Sequence, residues 1–316
     1  MIVAQEPSQD PTHVSCNLCG KDDYAVLFGQ GVAQVNQIVK CKGCGLMYAN
    51  PRYGQLEHAQ MKDLESIMDD EEDAGNSEDG WLPGYELRLE KEKLQVRDME
   101  KTLKELREAY PQRGRMLDIG SGFGCLLAKA KEDGWEVQGV EPFAGFCNYG
   151  KKHFGIEAFS GVLEEANFPD ASFDVITIVH VIEHVNDPVA TLKEIYRILK
   201  PGGTLVLETP TYDTPSFKLL GRRERSLSCD THVYFYTLKT LRETLAKLPF
   251  EPVRTRRVGR SLTLGRLLWN LAIVSKRKPL IDGVERVSRK LGFEDIWLEL
   301  NIGDMQRVSV KKPAMA

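Results

Sequence analysis

No long apolar run occurs anywhere in the 316 residues. The most apolar-rich stretch, Leu264 to Val274, is broken by Arg266 and Asn270 and falls short of the roughly 20 residues that a membrane-spanning helix needs. The first ten residues lack the basic start and apolar core of a secretory leader, so the expectation is a cytoplasmic protein. An excess of basic charge is also missing. Lys and Arg number 42 against 46 Asp and Glu, a net charge of −4, which gives no overall case for nucleic-acid binding. The seven cysteines are an odd number and four of them fall in two C-x-x-C pairs, which argues against a disulfide framework and for a reducing compartment and a metal. No internal repeat is visible. The composition, 42% hydrophobic and 28% charged, is that of a globular protein with one large domain and a small companion.

The paired cysteines are Cys16-Asn17-Leu18-Cys19-Gly20 and Cys41-Lys42-Gly43-Cys44-Gly45. Two residues between cysteines let both thiolates meet one ion on a tight knuckle, and the following glycine permits the turn. Four sulfurs make the closed tetrahedral set of structural zinc, so Cys16, Cys19, Cys41 and Cys44 are expected to hold Zn2+. A unit this small has little core of its own, and the metal would supply folding energy. Mixed charge on its flanks points to a structural or substrate-contacting role, with no nucleic-acid partner. The expected divisions are a zinc-ribbon-like module at 1–53, an acidic connector or lid at 54–84, a large domain at 85–260 and a basic C-terminal segment with a final strand at 261–316. Within the connector, residues 63–79 hold nine acids and no base.

Tyr85 to Tyr110 reads as a charged amphipathic helix, with Leu87, Leu94, Leu103, Leu106 and Tyr110 near one stripe. From Arg115 the pattern alternates. Strands are expected at 115–119, 136–141, 156–160, 173–179 and 203–208, and helices at 122–133, 144–154 and 188–199. Lys200-Pro201-Gly202-Gly203 reads as a helix stop and turn. A helix at 237–246 and strands at 251–258 and 305–310 follow. Such alternation predicts an α/β fold with a doubly wound, mostly parallel sheet, whose ligands sit at the carboxyl ends of the strands.

The organising stretch is Met116-Leu117-Asp118-Ile119-Gly120-Ser121-Gly122-Phe123-Gly124, an apolar strand ending in an acid and a glycine turn before a helix start. Glycines let backbone amides approach a ligand, and the helix start offers unpaired N–H groups. Glu141 closes the next strand and can accept hydrogen bonds from ribose hydroxyls, as in dinucleotide-binding folds. An NAD-dependent oxidoreductase is therefore one reading. Against it stand the G-x-G-x-G spacing and the carboxylate of Asp118, which would repel a pyrophosphate.

Together with Gly139-Val140-Glu141-Pro142, Phe168 to Val175, Ile182-Glu183-His184-Val185 and Leu199 to Gly203, this stretch resembles the class I S-adenosylmethionine-dependent methyltransferases, with a Rossmann-like fold. The four-cysteine start and Asn50-Pro51-Arg52 resemble a bacterial subset that acts on sugars or cell-surface precursors. The resemblance implies that S-adenosyl-L-methionine is held by Asp118, Gly120, Ser121, Gly122, Gly124, Glu141, Pro142, Val162, Leu163 and Val179. Glu141 would take the ribose, Asp118 the ammonium group, and Val162 or Leu163 would stand where relatives carry an adenine-facing acid, with backbone amides and Glu164 as substitutes.

The acceptor is expected after the fourth strand. His180 and His184 would share a face if that segment were helical. Together with the distant His232 they are candidates for general base, because histidine titrates near neutral pH. Two further readings are structural anchoring by Glu183 and His184, and a metal bound by His180, Glu183, His184 and His232. Tyr212, Asp213 and the aromatic run Val233 to Tyr236 could wall the acceptor pocket. The basic stretch 254–290 could attract a phosphate-bearing or lipid-linked acceptor or rest on an anionic membrane, against the plainer reading of a solvated amphipathic cap. A non-catalytic binding protein on the same fold is the remaining alternative.

Overall fold

The computed structural model describes residues 12–29, 37–52, 85–221, 227, 232–265, 267–268, 278–293 and 296–314. The acidic connector and most of Leu264 to Val274 lie outside them. The elements are β1 (Tyr24–Phe28), β2 (Ile38–Cys41), β3 (Met47–Ala49), α1 (Tyr85–Ala109), β4 (Arg115–Ile119), α2 (Cys125–Glu132), β5 (Glu136–Glu141), α3 (Ala144–Phe154), β6 (Ala158–Ser160), β7 (Phe173–Val179), α4 (Pro188–Ile198), β8 (Leu199–Pro210), α5 (Pro215–Leu220), β9 (Tyr234–Phe235), α6 (Leu238–Leu245), β10 (Glu251–Thr263), α7 (Lys278–Lys290) and β11 (Trp297–Lys311).

Seven strands form one sheet in the order β10-β11-β8-β7-β4-β5-β6. The run from β8 to β6 is parallel, and β11 lies antiparallel to both β8 and β10. β4 pairs with β5 on one side and β7 on the other, so the strand order reverses there and a crevice opens beyond its carboxyl end. Alternation along the strands builds two cores. Leu117, Ile176, Ile178, Leu205 and Leu207 face Leu192 and Ile195 of α4. Met116, Val175 and Val206 face Met99, Leu103 and Leu106 of α1. At roughly 2 kcal/mol for each fully buried large aliphatic side chain, α1 and α4 are held by this burial far more than by helix propensity.

Local chemistry sets the boundaries. Asp187 caps α4 by accepting from the Ala190 amide at 2.9 Å, and Pro188 fits its first turn. α2 begins at Cys125, later than the expected 122, because Gly120, Gly122 and Gly124 all hold positive φ (73°, 52° and 83°). The expected turn at Lys200 to Gly203 is instead the bulged entry to β8. A register shift between Phe173 and Val175 absorbs these residues, and Gly202 and Gly203 pair with Lys312.

The cysteine module is joined to the large domain by pairing. β1, β2 and β3 form a second sheet whose fourth strand is β9, with Met47 opposite Phe235 and Tyr48 opposite Tyr234. Asn17 donates to Asp187 (2.8 Å), and Arg52 donates to the Asn186 carbonyl (3.2 Å) and stacks over the Tyr234 ring.

Candidate active site

The turn after β4 sits where the crevice opens. Gly120 is required by contact as well as by φ, since a Cβ there would meet Val181 Cγ2 at 2.2 Å. Val181 thus presses the end of the β7 segment against the turn. Glu141 at the tip of β5 accepts from the Gly122 amide (Oε2, 2.9 Å) and the Phe143 amide (Oε1, 3.1 Å). Those two bonds fix the plane of a carboxylate that is buried to 6% exposure. Ser121 is buried, and its Oγ has no hydrogen-bond partner among the described residues. Pro142 and Val162 are half-buried, while Leu163 is in the core. Glu164 accepts from Thr191 Oγ1 at 2.8 Å, which turns it toward α4. Val179 ends β7, half-buried.

Asp118 lies beneath the turn at 4% exposure and accepts from Thr177 Oγ1 at 2.6 Å. Burial pushes its carboxyl up to about 8; the Thr177 bond works the other way, and the charges of Glu92 and Glu141 add to the rise. The site therefore stores a carboxyl that a cation would ionise.

Glu92 of α1 is the residue that sequence reasoning missed. Its carboxylate accepts from the Phe123 amide (2.8 Å) and the Cys125 amide (2.7 Å). It thereby caps α2, whose own N-cap Gly124 has no side chain to do so. Thr177 and Glu208 were also missed.

The segment after β7, where the acceptor is expected, is a turn, so His180 and His184 do not share a helical face. His180 stands at φ 56°, a strained conformation for a non-glycine residue. Its Nδ1 lies 3.5 Å from Glu183 Oε1 and its Nε2 lies 3.8 Å from Glu208 Oε1. Glu208 is paired in turn with buried Arg307 at 2.5 Å. Glu183 is 1% exposed; its Oε2 accepts from Thr209 Oγ1 (2.8 Å), and His232 Nε2 lies 4.0 Å from its Oε1. Burial opposes the Glu183 charge, but the His180 contact and the three imidazoles outweigh it and hold the carboxyl down to about 2. The His184 and His232 rings meet edge to face at 4.6 Å, and Tyr212 Oη lies 3.4 Å from His232 Nδ1. Glu183 thus gathers all three histidines, and its carbonyl also accepts the amides of Val233 and Tyr234 at the start of β9.

The four paired cysteines converge. Cys16 and Cys44 Sγ lie 3.4 Å apart, as do Cys19 and Cys41 Sγ, and all four sulfurs lie within 4.8 Å of one another. Zn–S bonds of about 2.3 Å in a tetrahedron imply edges of about 3.8 Å, so this set fits the ion. Burial raises the Cys16 thiol to about 11. Burial also acts on Cys41, but the Cys44 amide and the Cys19 thiol outweigh it and bring Cys41 to about 7. Elsewhere, the basic stretch is partly committed to ion pairs: Arg254 and Arg256 meet Glu105, and Arg257 meets Asp213. Among the described residues no helix is long and apolar enough to cross a membrane.

The ubiquinone/menaquinone biosynthesis C-methyltransferase UbiE of Geotalea daltonii is 32% identical over 143 residues, covering 42% of this chain and 56% of that protein. The ubiquinone biosynthesis O-methyltransferase of a Bradyrhizobium species is 36% identical over 110 residues, covering 33% and 43%. The chain thus spans about half the length of the curated relatives it matches. Among solved structures, a methyltransferase of Archaeoglobus fulgidus aligns over 72% of this chain and 99% of its own, at 21% identity and a TM-score of 0.46. Nothing in these likenesses supports an NAD-dependent oxidoreductase or a non-catalytic binding protein. Residues 91–255, more than half of the sequence, match the family described as "Methyltransferase domain", and the chain belongs to that family.

Proposed function

We propose that this protein transfers a methyl group from S-adenosyl-L-methionine to a small-molecule acceptor. The observation that carries the proposal is the glycine turn, with Glu141 fixed on its Gly122 amide and Asp118 buried beneath it. Carboxylates suit a donor that carries an ammonium and a sulfonium group, and an unpartnered Ser121 Oγ fits a site that completes its hydrogen bonds on a ligand. Glu141 would hold the ribose hydroxyls, Asp118 would face the ammonium group, and Gly120, Ser121, Gly122 and Gly124 would carry the methionine part. Pro142, Val162 and Leu163 would border the adenine and Val179 the reacting end.

The donor, when bound, supplies an electrophilic methyl, so the chain's own work is to orient the acceptor and remove its proton. Of the candidate bases His180, His184 and His232, His180 fits best. It follows β7 directly, its neighbour Val181 presses on Gly120, and the carboxylates of Glu183 and Glu208 stand ready to stabilise the imidazolium formed by proton uptake. Glu183 is a positioning residue, and His184 with His232 would border the acceptor. Cys16, Cys19, Cys41 and Cys44 would hold a structural zinc that keeps β3 paired with β9 and so supports His232 from behind. The curated relatives are named for steps in quinone biosynthesis, which supports a small-molecule acceptor; a sugar or lipid-linked precursor is the other acceptor expected from the sequence.

The test is methyl transfer from isotopically labelled S-adenosylmethionine to a panel of quinols, phenols and sugar nucleotides. His180→Gln should lower kcat by about 10²–10⁴ with the affinity for S-adenosylhomocysteine retained, as for loss of a general base. Equal activity in this variant would remove His180 from the mechanism.

A further inference from the structure

Glu92 sits 31 and 33 positions upstream of the two amides it holds, on a helix that belongs to the outer layer of the domain. Its neighbour on the turn is Glu141, so that three of the turn's amides, those of Gly122, Phe123 and Cys125, are taken by carboxylates from two separate elements. The space is tight: a Cβ at Gly122 would meet Glu92 Oε2 at 2.7 Å. The turn itself has three glycines at positive φ and therefore little stiffness of its own. α2 has no capping side chain at its own N-cap, Gly124. A half-buried carboxylate is a costly brace, since burial raises the Glu92 pKa above its usual value while the turn amides and the Cys125 thiol work against that.

We propose that Glu92 is a positioning residue for the donor site, which couples docking of helix α1 to occupancy of the glycine turn. The proposal rests on the donor reading given above. An unbraced turn must be ordered at the moment of ligand binding, and that ordering lowers affinity; a braced turn has been ordered in advance. The coupling is reciprocal. If α1 strengthens ligand binding through Glu92, the ligand must strengthen α1 docking by the same factor. The remaining attachments of α1 are independent of Glu92: Met99, Leu103 and Leu106 in the core, Arg256 with Glu105, and Arg307 with Thr102. The helix should therefore remain docked when Glu92 is replaced.

The experiment is titration of the full-length zinc-loaded chain with S-adenosylhomocysteine, alongside amide hydrogen exchange with and without that ligand. In the wild-type chain the ligand should slow exchange along residues 92–109. Glu92→Gln, which keeps one acceptor oxygen but sets an NH2 group against a backbone N–H, should bind about tenfold more weakly, and Glu92→Ala about a hundredfold. The ligand-induced slowing in α1 should shrink in the same order. The melting temperature of the ligand-free variants serves as the control for folding. Folded variants with wild-type affinity would overturn the proposal. Weaker binding with undiminished slowing in α1 would overturn the coupling. A wild-type chain that does not bind the ligand would overturn the donor reading itself, and this result is distinct because it appears before any substitution is made.

Discussion

Asp118→Asn should stabilise the ligand-free protein in a strongly pH-dependent way while weakening its donor site. The side chain is 4% exposed, and its carboxyl moves from 3.8 in the unfolded chain to about 8 in the folded one. A group whose folded pKa is raised contributes fully below its unfolded pKa, and that contribution is lost as pH rises through the folded pKa. Asp118 is therefore neutral and harmless below about pH 4. Between there and about pH 8 it progressively favours the unfolded chain, in which it can ionise. At about 1.4 kcal/mol for each tenfold change in proton affinity, the deficit at pH 7 is on the order of 4 kcal/mol. Asparagine keeps the oxygen that accepts from Thr177 Oγ1 and cannot ionise. Urea unfolding of both chains with zinc saturated should give near-equal stabilities at pH 4. At pH 7 to 8 the gap in favour of Asp118→Asn should open to several kcal/mol. The same variant should bind S-adenosylhomocysteine at least about tenfold more weakly, since a charge-assisted contact to the ammonium group is lost. A stability difference independent of pH would refute the idea that burial of this carboxyl is what raises it.

Glu141→Ala should reduce S-adenosylhomocysteine affinity by about 10- to 100-fold in calorimetric titration, through loss of hydrogen bonds to a charged acceptor. Glu183→Gln should destabilise the chain by roughly 3 kcal/mol at neutral pH in urea unfolding. Because the folded Glu183 carboxyl is depressed to about 2 from 4.5, that contribution is present above 4.5 and fades as pH falls toward 2. Elemental analysis should find about one zinc per chain by the four-sulfur argument. Chelation should lower the melting temperature and deprotect β9, whose Tyr234 and Phe235 pair with Tyr48 and Met47 of the cysteine module; a metal-free chain with unchanged protection would contradict the role given to zinc.

Much of the large domain was legible in the sequence, because its signals are local. The bounds of β4, β5, β7 and α3 coincide with the expected 115–119, 136–141, 173–179 and 144–154; β4 stops before Gly120, β5 at Glu141 and α3 before Gly155. β8 was read too short, since Lys200 to Gly203 carries turn residues whose strand character comes from pairing with Lys312, more than a hundred positions away. The two-residue β9 was invisible for the same reason: only the β3 edge makes it a strand. The acids proposed for the donor site, Asp118 and Glu141, stand at strand ends and are picked out by spacing. Glu92 could not, because it is one of several acids on a Glu- and Lys-rich helix, and only tertiary packing distinguishes it. The three histidines and Glu183 were singled out, but Glu208, the second carboxylate beside His180, was not. Glu208 reads as a strand residue, and its link to His180 depends on the β7–β8 pairing.

We propose the turn at Gly120 to Gly124, with Glu141, as the donor site for a sulfonium cofactor. Calorimetric titration of the zinc-loaded chain with S-adenosylhomocysteine, with NAD in a parallel cell, tests it most directly. One-to-one binding of S-adenosylhomocysteine, severely weakened by Glu141→Ala, is expected, with no binding of NAD. Binding of NAD in its place, or S-adenosylhomocysteine affinity unchanged by Glu141→Ala, would contradict it.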